Sequence, residues 1–508
     1  MREIKKLTIF IVSWSKIPLS NSKLFSMGHS ISSYLSNDQD ALISSVPIDD
    51  RPEGTGFPAI SSILVKDNSP GLLNLLPMDI LILIGSHLNA RSLGFLSRIS
   101  WKLYHHLITT GYLLGTIRTK LQTITRLDLT EYPLDELGFL IRRSQPRPSL
   151  SGGNRHSLFL DSQGRVYGFG SNQDGQLGLG GIVTQFIPIL IKEFKSQIIV
   201  VSAGSYHSLF LDSQGQVYSC GCNTLGRLGL GDHKYSHIHV PTPIDNQEMG
   251  QILAISAGGT HSLFLNSEGQ VFSCGYGRFG RLGLRDEKDR KIPTLIPTTG
   301  PGTQIGKVAA ISAGKFTSLI LNSQGQVFSF GSDNRGNHLA PTLIEEIKDR
   351  KIVAISASRI HSLFLDSQGQ VFILGSIDCG HVHTRSYMYS KPFLIEETKE
   401  GTKIGEIIAI SAKEYHSLLL NSRGQVFGFG CNQYDQLGLG NLGSRFAPTL
   451  TEIKVPHRII AIAAGDQHSL LLTSQGQILG FGNNSDGRLG SGSNGENPFV
   501  TLFEDYMV

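Results

Sequence analysis

From residue 149 to about 505 the chain alternates short apolar runs with short polar breaks, and the order of the runs repeats. One run starts at a histidine, as in His207-Ser-Leu-Phe-Leu211, and is followed by Asp212-Ser213-Gln214-Gly215 and a further run, Gln216-Val-Tyr-Ser-Cys-Gly221. Runs this short, broken by glycine, predict strands, because a helix would space its apolar residues at three and four. The break is turn chemistry. A short polar residue suits the first position of a type I turn, and the glycine supplies the positive φ that a tight hairpin needs. All copies keep Asp or Asn at that first position except the last, which has Thr473. Both runs are apolar almost throughout, which predicts strands covered on both faces by neighbouring sheets.

After the hairpin come a glycine-rich connection, Gly226-Arg-Leu-Gly229-Leu-Gly231, and a proline-led extended segment such as Ala447-Pro448-Thr449-Leu450. A β-branched run follows, Ile352-Val-Ala-Ile-Ser-Ala357 in one copy and Ile407-Ile-Ala-Ile-Ser-Ala412 in another. Counted as the fourth strand, it gives each copy four. The copies start at His156, His207, His261, Thr317, His361, His416 and His468, with spacings of 51, 54, 56, 44, 55 and 52 residues. A period of roughly 40–50 residues is that of a propeller blade. The fold class predicted is an all-β seven-bladed propeller over residues 149–508, with a small N-terminal all-α domain in front of it. The seventh copy runs to Val508 without a further β-branched run, whereas Ser149 to Leu160 supplies a histidine strand with no complete blade before it. Residues 149–160 are therefore expected to complete the seventh blade, closing the ring and removing its sheet edges.

The string from Ala203 to Asp232, AGSYHSLFLDSQGQVYSCGCNTLGRLGLGD, resembles the repeat of the regulator of chromosome condensation family, with its Ala-Gly-x-x-His-Ser, Asp/Asn-x-x-Gly-x-Val and Gly-x-Leu-Gly elements. The resemblance spans roughly residues 149–505 and speaks for fold rather than activity, because a propeller is a scaffold on which sites are placed.

Between Leu72 and Leu114 the composition changes, and the apolar residues fall near helical spacing, with Pro77 suited to a first turn and Asn89 to an N-cap. Three short helices in a segment of about 40 residues bury little core of their own and need support from elsewhere. Leu76-Pro77-Met78-Asp79-Ile80-Leu81, with Ile84, Leu93, Leu96 and Ser100, resembles an F-box. The resemblance implies docking onto a Skp-type adaptor of a cullin ubiquitin ligase through Leu76, Pro77, Ile80, Leu81, Ile84 and Leu88, with the propeller as receptor for a protein substrate. The domain reading is thus a poorly ordered segment at 1–70, an F-box-like helical domain at 71–115, a helical linker at 116–148 and the propeller at 149–508.

Composition narrows the partners. The net charge of +4 is slight for 508 residues, and no basic stripe or tail of the kind nucleic-acid binders carry is present, so no nucleic acid is expected. The apolar run from Leu7 to Trp14 is far short of the roughly 20 residues needed to span a bilayer, so no membrane is expected either. Five cysteines scattered over the ring, and a motif that works inside the cell, argue for the cytoplasm or nucleus over secretion. Cys220 and Cys274 stand where other copies have Phe169, Phe330 and Phe429, and read as packing residues.

No enzyme active site is expected. The recurring histidine reads as a structural hydrogen-bonder, since one catalytic residue per blade is implausible and Thr317 replaces it in the fourth copy. The glycine-rich loops lack Gly-Lys-Ser/Thr, so no phosphate or cofactor site follows. Cys379, His381 and His383 alternate, but with no evident fourth ligand they read as a surface loop rather than a zinc site. Binding residues are sought where the copies differ, at the two positions before each recurring histidine. Arg155, Tyr206, Phe316, Arg359 and Tyr415 are the types that anchor interfaces and are expected to form a substrate-facing ring. The irregular fourth copy and the stretch from Gly375 to Pro392 are a second place for a specialised surface. Two other functions fit the same repeat: guanine nucleotide exchange on a small GTPase, as implied by the family's founding member, and a plain protein-interaction scaffold.

Overall fold

The computed structural model describes residues 148–502, apart from positions 246, 301–302, 334, 378–386, 397–402, 441–450, 454, 456 and 493–499. The chain divides into two units, Met1–Leu75 and Leu76–Val508, and the described residues all fall in the second. The segments 1–70 and 71–115, with the six F-box-like positions, lie outside the described residues, as does the linker up to residue 147.

The described chain forms seven four-stranded antiparallel sheets, each in simple sequence order. Blade 1 contains Ser149–Gly152, His156–Leu160, Val166–Gly170 and Gln185–Ile191. Blade 2 contains Ile198–Ala203, His207–Asp212, Val217–Cys222 and His237–Pro243. Blades 3 to 7 repeat the order from Ile252, Val308, Ile352, Ile407 and Ile459. The first strands of neighbouring blades pack against each other all the way round, blade 7 against blade 1 included, so they line the axis. No helix among the described residues is long and apolar enough to cross a membrane.

The hairpin chemistry forms as expected. Gly215 N donates to Asp212 O at 3.1 Å, and the Asp212 carboxylate accepts from the amides of Gln214 and Gln216, each at 2.9 Å. Gly215 sits at φ 82°, a region open to glycine and strained for other residues.

The expected closure is corrected. Residues 149–160 are not the missing part of blade 7. Ser149–Gly152 pairs with His156–Leu160 inside blade 1, and blade 7 completes itself with Val500–Leu502. The β-branched run is the first strand of the blade that follows it rather than the fourth strand of the one before. The reason lies in the connections: the link from that run to the next histidine is only three residues in blade 2, Gly204 to Tyr206, which is a hairpin length that forces antiparallel pairing with the histidine strand. In blade 1 the first strand is Ser-Leu-Ser-Gly, which carries none of the β-branched signature.

Closure instead comes from side chains. Each of seven apolar clusters among the described residues is shared by two adjacent blades, and one of them joins Leu470, Leu472 and Ile478 of blade 7 to Phe159, Tyr167 and Phe169 of blade 1. Cys220 and Cys274 are fully buried within two such clusters, as packing residues. Burying one aromatic of this size contributes roughly 1.5–3 kcal/mol, so each junction is a small core in its own right.

Candidate functional site

Because every sheet runs down, up and down again, the connection between its first and second strands and that between its third and fourth open on the same face of the ring. That face carries the two varying residues of each copy. It also carries the recurring histidine at its edge, and the structure gives this residue a definite task. His156 Nε2 lies 2.9 Å from Ser208 Oγ of the next blade, and the same bond joins His207 to Ser262, His261 to Ser318, His361 to Ser417, His416 to Ser469 and His468 to Ser157 at 2.6–3.0 Å. The serine hydroxyl donates onward to a backbone carbonyl, as Ser208 does to Gln176 O at 2.7 Å, so it accepts from an Nε2–H. At the junction of blades 4 and 5 the belt is interrupted, and the Thr317 hydroxyl donates to Ser332 O within its own blade.

Glycine three residues before the histidine makes room for the ring. A Cβ at Gly204 would lie 2.6 Å from His207 Nδ1. Burial holds these imidazoles neutral, His156, His261 and His416 down to about 3 and His361 to about 4. A sealed, neutral imidazole has no access to a reactant, which agrees with the structural role expected for it.

The five candidate binding residues open on this one face, and three of them are linked to one another. Phe316, Arg359 and Tyr415 come together on blades 4 to 6, with the Arg359 guanidinium 5.6 Å from the Phe316 ring centre and 5.1 Å from that of Tyr415. Phe316 is shared with a second guanidinium, that of Arg281, at 5.2 Å, and Arg281 also lies 5.0 Å from the Tyr276 ring centre. The result is an alternating row, Tyr276, Arg281, Phe316, Arg359, Tyr415, in which each cation over a ring contributes roughly 0.5–2 kcal/mol. Phe279 meets Phe316 edge-on at 6.3 Å. Below the row, Glu414 accepts from Lys315 at 2.7 Å and from Arg359 at 3.3 Å. Phe279 and Glu414 both have positive φ, 65° and 42°, and strain of about 1–3 kcal/mol of this kind gathers at binding sites.

Arg155 and Tyr206 stand apart from this row, on blades 1 and 2, both exposed. The Tyr206 carbonyl accepts from Cys222 N at 2.9 Å, so its loop is fixed while its ring faces solvent.

Sequence reasoning missed the arginines of the Gly-Arg-Leu-Gly copies. Arg227, Arg281 and Arg488 are buried, and each donates to the first varying residue of the next blade: Gly259 O at 3.5 Å, Lys315 O at 2.9 Å and Asn154 O at 3.0 Å. Burial brings the Arg281 guanidinium down to about 10, so it stays charged at neutral pH. The signal was present in the sequence, because copies one and six have Gln176 and Gln436 at this position. Also missed was Lys413, which stands where five other copies have glycine and one has Ser358, and donates across the axis to Ala203 O of blade 2 at 2.7 Å. Next to it, burial and Glu414 push the Asp466 carboxyl well above the usual carboxylate range.

Cys379, His381 and His383 lie outside the described residues, as does the middle of the stretch from Gly375 to Pro392. Among the described residues one cluster offers three ligand atoms together, Asp174, Cys222 and His237.

Comparison with known proteins agrees with this architecture. Two models of the regulator of chromosome condensation (RCC1) repeat match the chain, one at residues 163–211, 214–265, 268–321 and 423–472, the other at 149–176, 198–227, 252–281, 308–337, 407–436 and 459–488. Between them they take in more than half of the chain, and every matched stretch lies within the propeller. The ultraviolet-B receptor UVR8 of Arabidopsis thaliana is 27% identical over 362 residues, 71% of this chain and 70% of that protein. The human E3 ubiquitin-protein ligase HERC2 is 26% identical over 68% of this chain, which spans only 6% of that much longer protein. The human X-linked retinitis pigmentosa GTPase regulator is 28% identical over 64% of this chain and 32% of its own length. Among solved structures, yeast RCC1 (Prp20) bound to Kap60 superposes with a TM-score of 0.58 at 20% identity, covering 71% of this chain and 85% of that one, a likeness of fold. With its seven blades and its repeat matched over most of the ring, the chain belongs to the regulator of chromosome condensation (RCC1) repeat family.

Proposed function

We propose that the chain is a non-enzymatic substrate receptor of a Skp/cullin/F-box ubiquitin ligase, in which residues 71–115 dock a Skp-type adaptor and the propeller face holds a protein substrate. The observation that carries the binding half is the row Tyr276, Arg281, Phe316, Arg359 and Tyr415: pre-stacked arginine and aromatic side chains on a rigid ring are the hot-spot chemistry of protein interfaces. The other half rests on the F-box resemblance at Leu76, Pro77, Ile80, Leu81, Ile84 and Leu88, and draws support from the similarity of 68% of this chain to part of a ubiquitin-protein ligase.

The test is capture of purified Skp-type adaptor by the full chain, wild type against a Leu76→Ala/Pro77→Ala double substitution. Binding that disappears in the double variant supports the receptor reading. A folded wild type that captures no adaptor overturns it. Nucleotide exchange on a small GTPase is the second reading, favoured by the relative named a GTPase regulator, and acceleration of nucleotide release by the full chain would select it.

A further inference from the structure

We propose that Asp174, Cys222 and His237 form a binding site for a divalent transition metal of the zinc type, at the junction of blades 1 and 2 on the face that carries Tyr206. Cys222 closes the third strand of blade 2 and His237 opens its fourth, and the two are direct partners across the sheet. Asp174 arrives from blade 1, in the loop after its third strand. The sulfur, the imidazole nitrogen and the carboxylate oxygen lie within 4.8 Å of one another, with His237 Nε2 3.1 Å from Asp174 Oδ1. An ion bound at about 2.0–2.3 Å to each in tetrahedral geometry puts its ligand atoms roughly 3.3–3.8 Å apart, a spacing between the 3.1 Å of the His237–Asp174 pair and the 4.8 Å that bounds the cluster.

The surroundings are those of a built site. His237 Nδ1 lies 2.9 Å from Ser236 Oγ, a hydroxyl that can fix the ring and leave Nε2 free to coordinate. Cys222 Sγ lies 3.1 Å from Thr224 Oγ1, a donor suited to a thiolate. The loop is pinned, with Asn223 N donating to Ser236 O at 2.7 Å and Asp174 N to Gln176 Oε1 at 2.9 Å. His239, two residues along the same strand, has a buried Nδ1 with no partner, held against the Asp174 loop where a Cβ at Gly175 would come within 2.5 Å of it. The residue is thus a second imidazole beside the cluster.

The repeat does not demand these residue types. The position of Cys222 holds Ser171, Tyr276, Ser332, Ser376 or Asn483 in five other copies and Cys431 in the sixth, and among the described residues only blade 2 brings its cysteine together with a histidine and a carboxylate. With Cys222 bound to the ion as thiolate, carboxylate and sulfur together offer two negative charges, enough to neutralise a dication. Cys222 is nearly buried, while the Asp174 and His237 side chains are 26% and 40% exposed. An ion can therefore enter from solvent and keep one coordination position for water or for a donor atom of a docked partner. Soft sulfur with nitrogen selects zinc over magnesium or calcium. Binding releases the thiol proton of Cys222 to solvent.

The experiment strips the full-length chain of metal, then titrates it with Zn²⁺ by calorimetry and with Co²⁺ as a spectroscopic stand-in whose thiolate charge-transfer band reports sulfur ligation. The expected result is one saturable Zn²⁺ site with the cobalt band, the band absent in Cys222→Ser and Zn²⁺ affinity roughly tenfold or more weaker in Asp174→Asn. Cys379→Ser, which removes the other cysteine near histidines, keeps both. No saturable binding by folded wild type overturns the proposal. So does a band or an affinity unchanged in Cys222→Ser and Asp174→Asn, because the ion then sits elsewhere.

Discussion

His207 and Tyr206 are neighbours in the chain, yet the first is fully buried and the second is 39% exposed. His361 and His416 are buried in the same way, while Arg359 and Tyr415 are half-buried and stack on each other. The buried member repeats because it answers an identical demand at six of the seven junctions, a hydrogen bond to the serine of the next blade. The outward member is not held by the bond that joins the blades, so it can differ between blades. In a ring of repeats, constancy marks what joins the blades and irregularity marks what the face presents. A continuous row of cations and rings runs over blades 3 to 6, where irregular positions of adjacent blades complement each other.

The strongest way to break this contrast is to remove part of the joining set altogether. Deleting residues 149–165 takes away the first two strands of blade 1 and with them Ser157 and Phe159, two of the partners of blade 7. The expected outcome is loss of a cooperative melting transition in circular dichroism, and a variant that still melts cooperatively near the wild-type temperature would show that the ring does not depend on this seam.

Acid should attack the buried members collectively. Their folded-state pKa values lie below the unfolded value of about 6.5, so the unfolded chain binds more protons and stability falls as pH drops from about 6.5 toward about 3. Each histidine that follows this pattern removes about 2 kcal/mol between pH 6.5 and 5. Denaturant titrations across that range should show a slope of several protons, and a flat profile would mean the imidazoles are not sealed.

A single pair sharpens the comparison. His207→Ala loses the bond to Ser262 and leaves a cavity, at about 2–4 kcal/mol. Tyr206→Ala should stay within about 0.5 kcal/mol. Equal effects in urea unfolding would erase the distinction between the two positions.

Two repairs test the smallest effects. Six blade junctions carry a serine hydroxyl that accepts from the alanine amide ending the next first strand, as Ser202 does for Ala257 at 2.9 Å. At the seam, Ala463 stands in the serine's place. Ala463→Ser and Thr317→His each restore a bond that the other junctions have, and each should stabilise by roughly 0.5–1.5 kcal/mol. A destabilised variant would show that the local backbone has settled into a different arrangement.

Much of this molecule was legible in the sequence. Asp212-Ser-Gln-Gly215 wrote its own turn because the interactions that fix it span four residues. The strand grouping was less legible: the run Ile198–Ala203 sits between two histidine strands, and only pairing decides which one it joins. In blade 1 the run had lost its β-branched residues, so Ser149–Gly152 gave no sign of being a complete first strand and suggested a closure that does not occur. Of the site, Phe316, Arg359 and Tyr415 were reachable from their position in the repeat and their residue type. Arg281 was not, because its partners are the Phe316 ring and the Lys315 carbonyl of the next blade.

The sequence by itself determined seven copies, the turn of each hairpin, the buried identity of the histidine and the face on which the varying residues open, since all of these depend on contacts a few residues apart or on repetition. Only the tertiary structure decided how the ring closes, which of the varying residues meet, and that Asp174 lies beside Cys222 and His237. Those outcomes rest on contacts between blades, often separated by about one repeat or by the whole ring, and no local pattern encodes the distance between side chains that the curvature of the ring brings together.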